Sequence, residues 1–99
     1  MKPHNKTSDI QRTTLKLLSA ARSAGVKTVV SHKLNKQVSQ ILGREVHSNN
    51  FNVSCSTLEL RGLIRRHKSR GDWHITLSDK GFDLGVEMIE QDYSGVVRL

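Results

Sequence analysis

Between Ser48 and Arg70 the chain gathers side chains able to hold a polyanion and to read what it carries. Ser48, Asn49, Asn50, Asn52, Ser56 and Thr57 are short amides and hydroxyls, with Val53 standing among them. Arg61, Arg65, Arg66, His67, Lys68 and Arg70 follow within a few residues. An asparagine amide carries a donor and an acceptor side by side, so it can pair with the edge of adenine, as arginine can with guanine. Guanidinium and ammonium groups also pair with phosphate, as would Lys33 and Lys36 further upstream.

These residues need elements to position them. Phe51, Cys55 and Leu58 recur at four and three residues, which marks one apolar face of a helix over about 48–61. Ser54 goes with the polar remainder of that helix. Asn, Ser and Thr compete for the backbone's own hydrogen bonds and are weak helix-interior choices. A helix rich in them, where Glu, Lys, Gln and Arg would serve a merely solvated face, reads as selected for contact. Gly62 ends it and Leu63-Ile64 starts a strand. Trp73, Ile75 and Leu77 alternate with His74 and Thr76, the period of a strand with one buried face. A turn at Arg70-Gly71 then pairs Ile64 with Leu77, Arg66 with Ile75 and Lys68 with Trp73, and brings His67 opposite His74. Trp73 is expected as core at the base of the hairpin, supporting the stems of Arg66 and Lys68. The tip, 65–72, projects as a basic finger. Cys55 is expected to be a small buried hydrophobe.

The rest of the chain supplies a body for this unit. Residues 1–7 show no periodicity and are expected to be a flexible tail. Ser8 and Gln11 form a capping box for a helix to about Ser23, with Ile10, Thr14, Leu17, Leu18 and Ala21 inward and Leu15 beside them. Thr28-Val29-Val30 is a brief strand. Ser31 caps a second helix with Leu34, Val38, Ile41 and Leu42 inward, and Val46 plugs the core after Gly43. His47 or Ser48 caps the polar helix. Ser78 caps the last helix, with Phe82, Val86 and Ile89 on its inner face and Leu84 and Met88 alongside. Gly81 and Gly85 weaken that helix in isolation. Residues 93–99 are expected to be a short C-terminal tail.

Ninety-nine residues with 35% apolar content and a mean hydropathy of −0.47 suit one small soluble domain, spanning 8–92. No apolar run suits a membrane span or a secretory leader, and one cysteine fits a reducing, cytoplasmic setting. The net charge of +7 is unevenly spread. Residues 1–70 hold 14 Lys/Arg against 3 Asp/Glu, whereas residues 71–99 hold 2 against 6. A basic majority with an acidic last helix describes a molecule with two sides, one turned toward a polyanion. Scattered histidines and a lone cysteine form no metal-ligand spacing, and no catalytic set is legible, so no enzyme, metal or cofactor is expected.

Two fragments resemble a known family. Val46-His47-Ser48-Asn49-Asn50-Phe51, then Cys55 and Leu58-Glu59-Leu60-Arg61-Gly62-Leu63-Ile64, resemble the helix-turn-helix and strand entry of winged-helix DNA-binding domains. Ile75-Thr76-Leu77-Ser78-Asp79-Lys80-Gly81 is similar to the segment that closes their wing and opens the next helix. The resemblance covers about residues 8–92. It implies an α+β fold ordered helix, strand, helix, helix, strand, strand, helix, with a three-helix core and a β-hairpin wing. It also implies a recognition helix in the major groove and a wing on backbone or minor groove. The long additional helices by which larger winged-helix repressors dimerise are missing here.

The function expected is that of a double-stranded DNA-binding transcription regulator of bacterial, plasmid or phage type, in the cytoplasm with the nucleoid and off the membrane. A winged helix used as a protein-interaction module, and an RNA-binding protein, are the alternatives. A homodimer through the C-terminal helix or tail, and another protein partner, stay open.

Overall fold

The computed structural model describes residues 8–97, with side chains to Tyr93. The flexible tail expected at 1–7 lies outside the described residues, as do the last two residues of the expected C-terminal tail. The elements are α1 (Asp9–Ser23), β1 (Thr28–Val30), α2 (Ser31–Leu42), α3 (Ser48–Leu60), β2 (Ile64–Ser69), β3 (Asp72–Leu77) and α4 (Asp79–Val97). The order matches the sequence expectation. The three strands form one antiparallel sheet, β1-β3-β2. The helix that opens at Asp79 runs on through Val97, past Tyr93, where the sequence suggests a tail.

One core joins all of these elements. Leu15 and Leu18 of α1, Leu34 and Val38 of α2, and Phe51, Cys55 and Leu58 of α3 meet Leu63, Ile64, Ile75 and Leu77 of the sheet region and Met88 of α4. The stripe read from α3 is therefore its buried face, and Ser54, expected outside, is buried at its edge. On α1 the buried face is turned from the expected one: Thr13, Thr14, Leu15, Leu18 and Ser19 are buried, while Ile10 and Leu17 are half-buried. On α2, Ile41, expected inward, is 60% exposed, while its neighbour Leu42 packs against the core.

The inner face of α4 is set by its glycines. Gly81, Gly85 and Met88 are its buried positions, whereas Phe82, Val86 and Ile89 are only half-buried. A methyl group on Gly85 would run into the Ser19 hydroxyl and the Leu15 carbonyl of α1, and one on Gly81 into the Leu63 carbonyl. The glycines that weaken α4 alone are what lets it close on the body. Ser78 fastens its start: its hydroxyl accepts from the Gly81 amide at 3.0 Å and lies within donating distance of the Gly62 and Leu63 carbonyls, at 2.7 and 2.9 Å. At α1 only half of the capping box forms. The Gln11 amide N–H donates to Ser8 Oγ at 3.1 Å, but the Gln11 side chain accepts from Arg61. Val30, without a side-chain cap, precedes α2, so Ser31 is its first residue rather than its cap.

Candidate nucleic-acid interface

The angle at which α3 leaves α2 is held at one buried residue. The Val46 N–H donates to Ser39 Oγ at 2.9 Å, and its carbonyl accepts from Asn35 Nδ2 at 3.1 Å. Both polar groups of the corner are thus satisfied by α2 side chains while the Val46 side chain fills the core. His47 then caps α3, its Nδ1 accepting from the Asn49 N–H at 3.2 Å.

At about 100° per residue, α3 divides into three strips. Ser54, Leu58, Phe51 and Cys55 make the buried one. Ser48, Asn52, Ser56 and Glu59 make a second, which faces the hairpin. Asn49, Asn50, Val53, Thr57 and Leu60 make the third, which faces away from the body. Within this outward strip Val53 is 65% and Leu60 90% exposed. Leu60 lies outside the expected contact set, although its position two residues after Leu58 already puts it opposite the apolar stripe.

The hairpin follows the expected register, with Ile64 opposite Leu77, Arg66 opposite Ile75, His67 opposite His74 and Lys68 opposite Trp73. Arg70 and Gly71 close it with φ of 53° and 83°, the two positive values that a two-residue turn of matching twist requires. The His67 and His74 rings stack at 5.2 Å on the face that also carries Arg65. The opposite face carries Arg66, Lys68 and Trp73 toward α3. Trp73 is 46% exposed rather than core, because the hairpin has already left the body at that level. The Arg66 guanidinium and the Lys68 ammonium lie 5.7 and 5.9 Å from its ring centre. Ser31, His32 and Asn35 of α2, Ser48 and Asn52 of α3, and Gly71, Asp72 and Trp73 of the hairpin line a shared depression of about 230 Å³. Three elements thus open onto one surface.

Four expected contact residues have partners inside the protein. Arg66 donates from its backbone N–H to Glu59 Oε2, from Nε and an NH2 to Glu59 Oε1, and from that NH2 to Ser56 Oγ, all at 2.9–3.1 Å. This pair ties the hairpin to α3, and Ser56 joins it through Arg66. The Thr57 hydroxyl donates to the Val53 carbonyl one turn back, at 3.1 Å. Arg61 is exposed at the end of α3 and donates to Gln11 Oε1 at 3.4 Å.

The remaining charges sort by side. Arg12 and Lys16 of α1 pair with Asp92 of α4, Arg22 with Asp79, and Arg44 with Asp9. The Lys16 hydrogen bond, aided by Arg12 against the cost of desolvation, holds the Asp92 carboxyl below its ordinary range, and Arg44 does the same for Asp9. Among the described residues, Lys33, Lys36, Arg65, Lys68 and Arg70 have no ion-pair partner. All five are exposed, and they stand on α2 and the hairpin, the two elements that share a depression with α3. Among the described residues no three His, Cys, Asp or Glu side chains cluster as metal ligands, and no helix is long and apolar enough to cross a membrane.

No protein-family model matches the chain, and no curated protein sequence matches it. Solved structures do. RosR of H. salinarum is 18% identical with a TM-score of 0.77, over 99% of this chain and 84% of that one. F93 from STIV, described as a winged-helix DNA-binding protein, is 11% identical with a TM-score of 0.68, over 94% and 97%. F-93 of SSV1 is 15% identical with a TM-score of 0.61, over 86% and 91%. These neighbours are archaeal or viral, so they lend nothing to the bacterial or phage type read from the sequence. At such identities the likeness concerns architecture: the chain has the winged-helix fold, with α2-corner-α3 as its helix-turn-helix and β2-β3 as its wing.

Proposed function

We propose that this protein binds double-stranded DNA and acts as a sequence-specific transcription regulator, with α3 in the major groove and the wing on the backbone or minor groove. The observation that carries this reading is the sorting of charge. Among the described residues, Arg12, Lys16 and Arg22 of α1 are neutralised by Asp92 and Asp79 of α4, while the exposed Lys33, Lys36, Arg65, Lys68 and Arg70 of α2 and the wing have no ion pair; Lys27 and Lys80 lack one too, and Lys80 donates to the Arg61 carbonyl. Unpaired cations on the two elements beside an amide-bearing helix suit a ligand that combines phosphate backbone with a groove of base edges. Asn49 and Asn50 are the candidates for bases. Lys33, Lys36, Arg65, Lys68 and Arg70 are the candidates for phosphates, with His67 beside them and Asn52 and Ser48 at the strip nearer the wing. The description of F93 as a DNA-binding protein of this fold supports the same reading.

The test compares binding to duplex DNA, duplex RNA and single strands at two salt concentrations. Duplex DNA is expected to bind most tightly, with affinity falling steeply with salt. Equal or tighter binding to RNA would reject the assignment, because the RNA major groove is too narrow to admit α3.

A further inference from the structure

We propose that α3 reads thymine methyl groups, with Val53 and the methyl of Thr57 as the reading surface. This rests on the duplex-DNA assignment and extends it to a base class. The outward strip carries amides at Asn49 and Asn50 and then, one turn on, an apolar side chain that is 65% exposed. Val53 and Leu60, 65% and 90% exposed, are the large apolar members of this strip, Thr57 stands between them, and amides adjoin Val53 while unpaired cations stand on α2 and the hairpin. Thr57 spends its hydroxyl on the Val53 carbonyl at 3.1 Å, which leaves its methyl as the group not so engaged. Successive turns of the strip therefore offer an amide pair, a valine and a threonine methyl, at about 6 Å per step along the helix.

A ligand for that sequence of groups must be polyanionic at its borders and must combine amide-complementary edges with an apolar group. In the major groove the C5-methyl of thymine is that apolar group, and the adenine paired with it supplies the edge that asparagine matches. Amide and methyl readers one turn apart thus select the two halves of A·T pairs. Val53 is thereby a specificity-determining residue, and the preferred sites contain A·T steps under the middle of α3.

The experiment uses duplexes selected by the protein from a random pool, resynthesised with deoxyuridine in place of every thymidine. Uracil keeps each Watson–Crick and groove hydrogen bond and lacks only the methyl. Wild-type protein should bind the uracil duplex more weakly by roughly fourfold for each methyl that the helix touches. Val53→Ala, whose fold should be intact because the side chain is exposed, should bind the thymine duplex more weakly and lose most of the discrimination. Equal wild-type affinity for both duplexes overturns the proposal while leaving the DNA assignment standing. An equal loss in wild type and Val53→Ala also overturns it, since the methyls would then act through the duplex and not through Val53. Failure to bind any duplex overturns both.

Discussion

Glu59 holds Arg66 at three points, taking the backbone N–H on one carboxylate oxygen and the guanidinium on the other, at 3.0–3.1 Å. The last turn of the helix-turn-helix is thereby fastened to the first strand of the wing, and the two parts assigned to DNA form one surface. A half-buried, multiply bonded charge pair is stronger than an exposed one. Glu59→Ala is expected to cost about 1–2 kcal/mol of stability. It should also speed amide exchange at Arg66. Unchanged protection at that amide would mean that the clasp does not hold the wing.

Gly85→Ala separates helix propensity from packing. In an unconstrained helix the change would stabilise by about 1 kcal/mol. Here the added methyl meets Ser19 and the Leu15 carbonyl, so a loss of about 1–3 kcal/mol is expected, read as a lowered melting temperature. A gain in stability would show that α4 does not approach α1 as described.

Cys55 should be silent to thiol reagents in the native protein. Burial pushes its thiol from the ordinary 9.0 up to about 11, with Glu59 adding to the rise and Arg66 opposing it. Because the folded value lies above the unfolded one, the neutral thiol's contribution to stability is full below pH 9 and is lost as pH rises toward 11. Thiolate absorbance followed with pH, alongside labelling before and after unfolding, checks this. Rapid native labelling at pH 8 would place Cys55 outside the core.

Much of this surface is legible from residue order alone. The alternation Trp73-Ile75-Leu77 and the Arg70-Gly71 turn are local signals, and they specify the wing's register residue by residue. The stripe Phe51-Cys55-Leu58 likewise specifies which side of α3 is buried. What periodicity does not carry is the partner across space. Nothing near Arg66 in sequence marks Glu59 as its acceptor, so a cation that reads only as a phosphate contact also fastens the wing. Nor does alternation say where the body ends, which is why Trp73 follows the buried phase and is still half exposed. On α4, bulk suggests Phe82, Val86 and Ile89 as the inner face, whereas close approach favours the residues with no side chain at all.

Asn50→Ala is expected to cost roughly 1–3 kcal/mol on a selected duplex and little on random DNA. Asn50 is exposed on the outward strip, so the variant's melting temperature should not change. Equal losses on both duplexes would mean that this strip touches DNA without reading it.

Whether the unpaired cations around α3 meet phosphates is decided by the salt dependence of binding. Arg65, Lys68 and Arg70 are the wing cations without an ion pair among the described residues, and Arg66 is left in place because it holds the wing. Each phosphate contact contributes about 0.9 to the slope of log K against log salt. The triple alanine variant should therefore have a slope shallower by about 2–3 units, with affinity reduced by a similar factor on selected and random duplexes. An unchanged slope in a variant with an intact fold would contradict this assignment, since the wing would then not touch DNA.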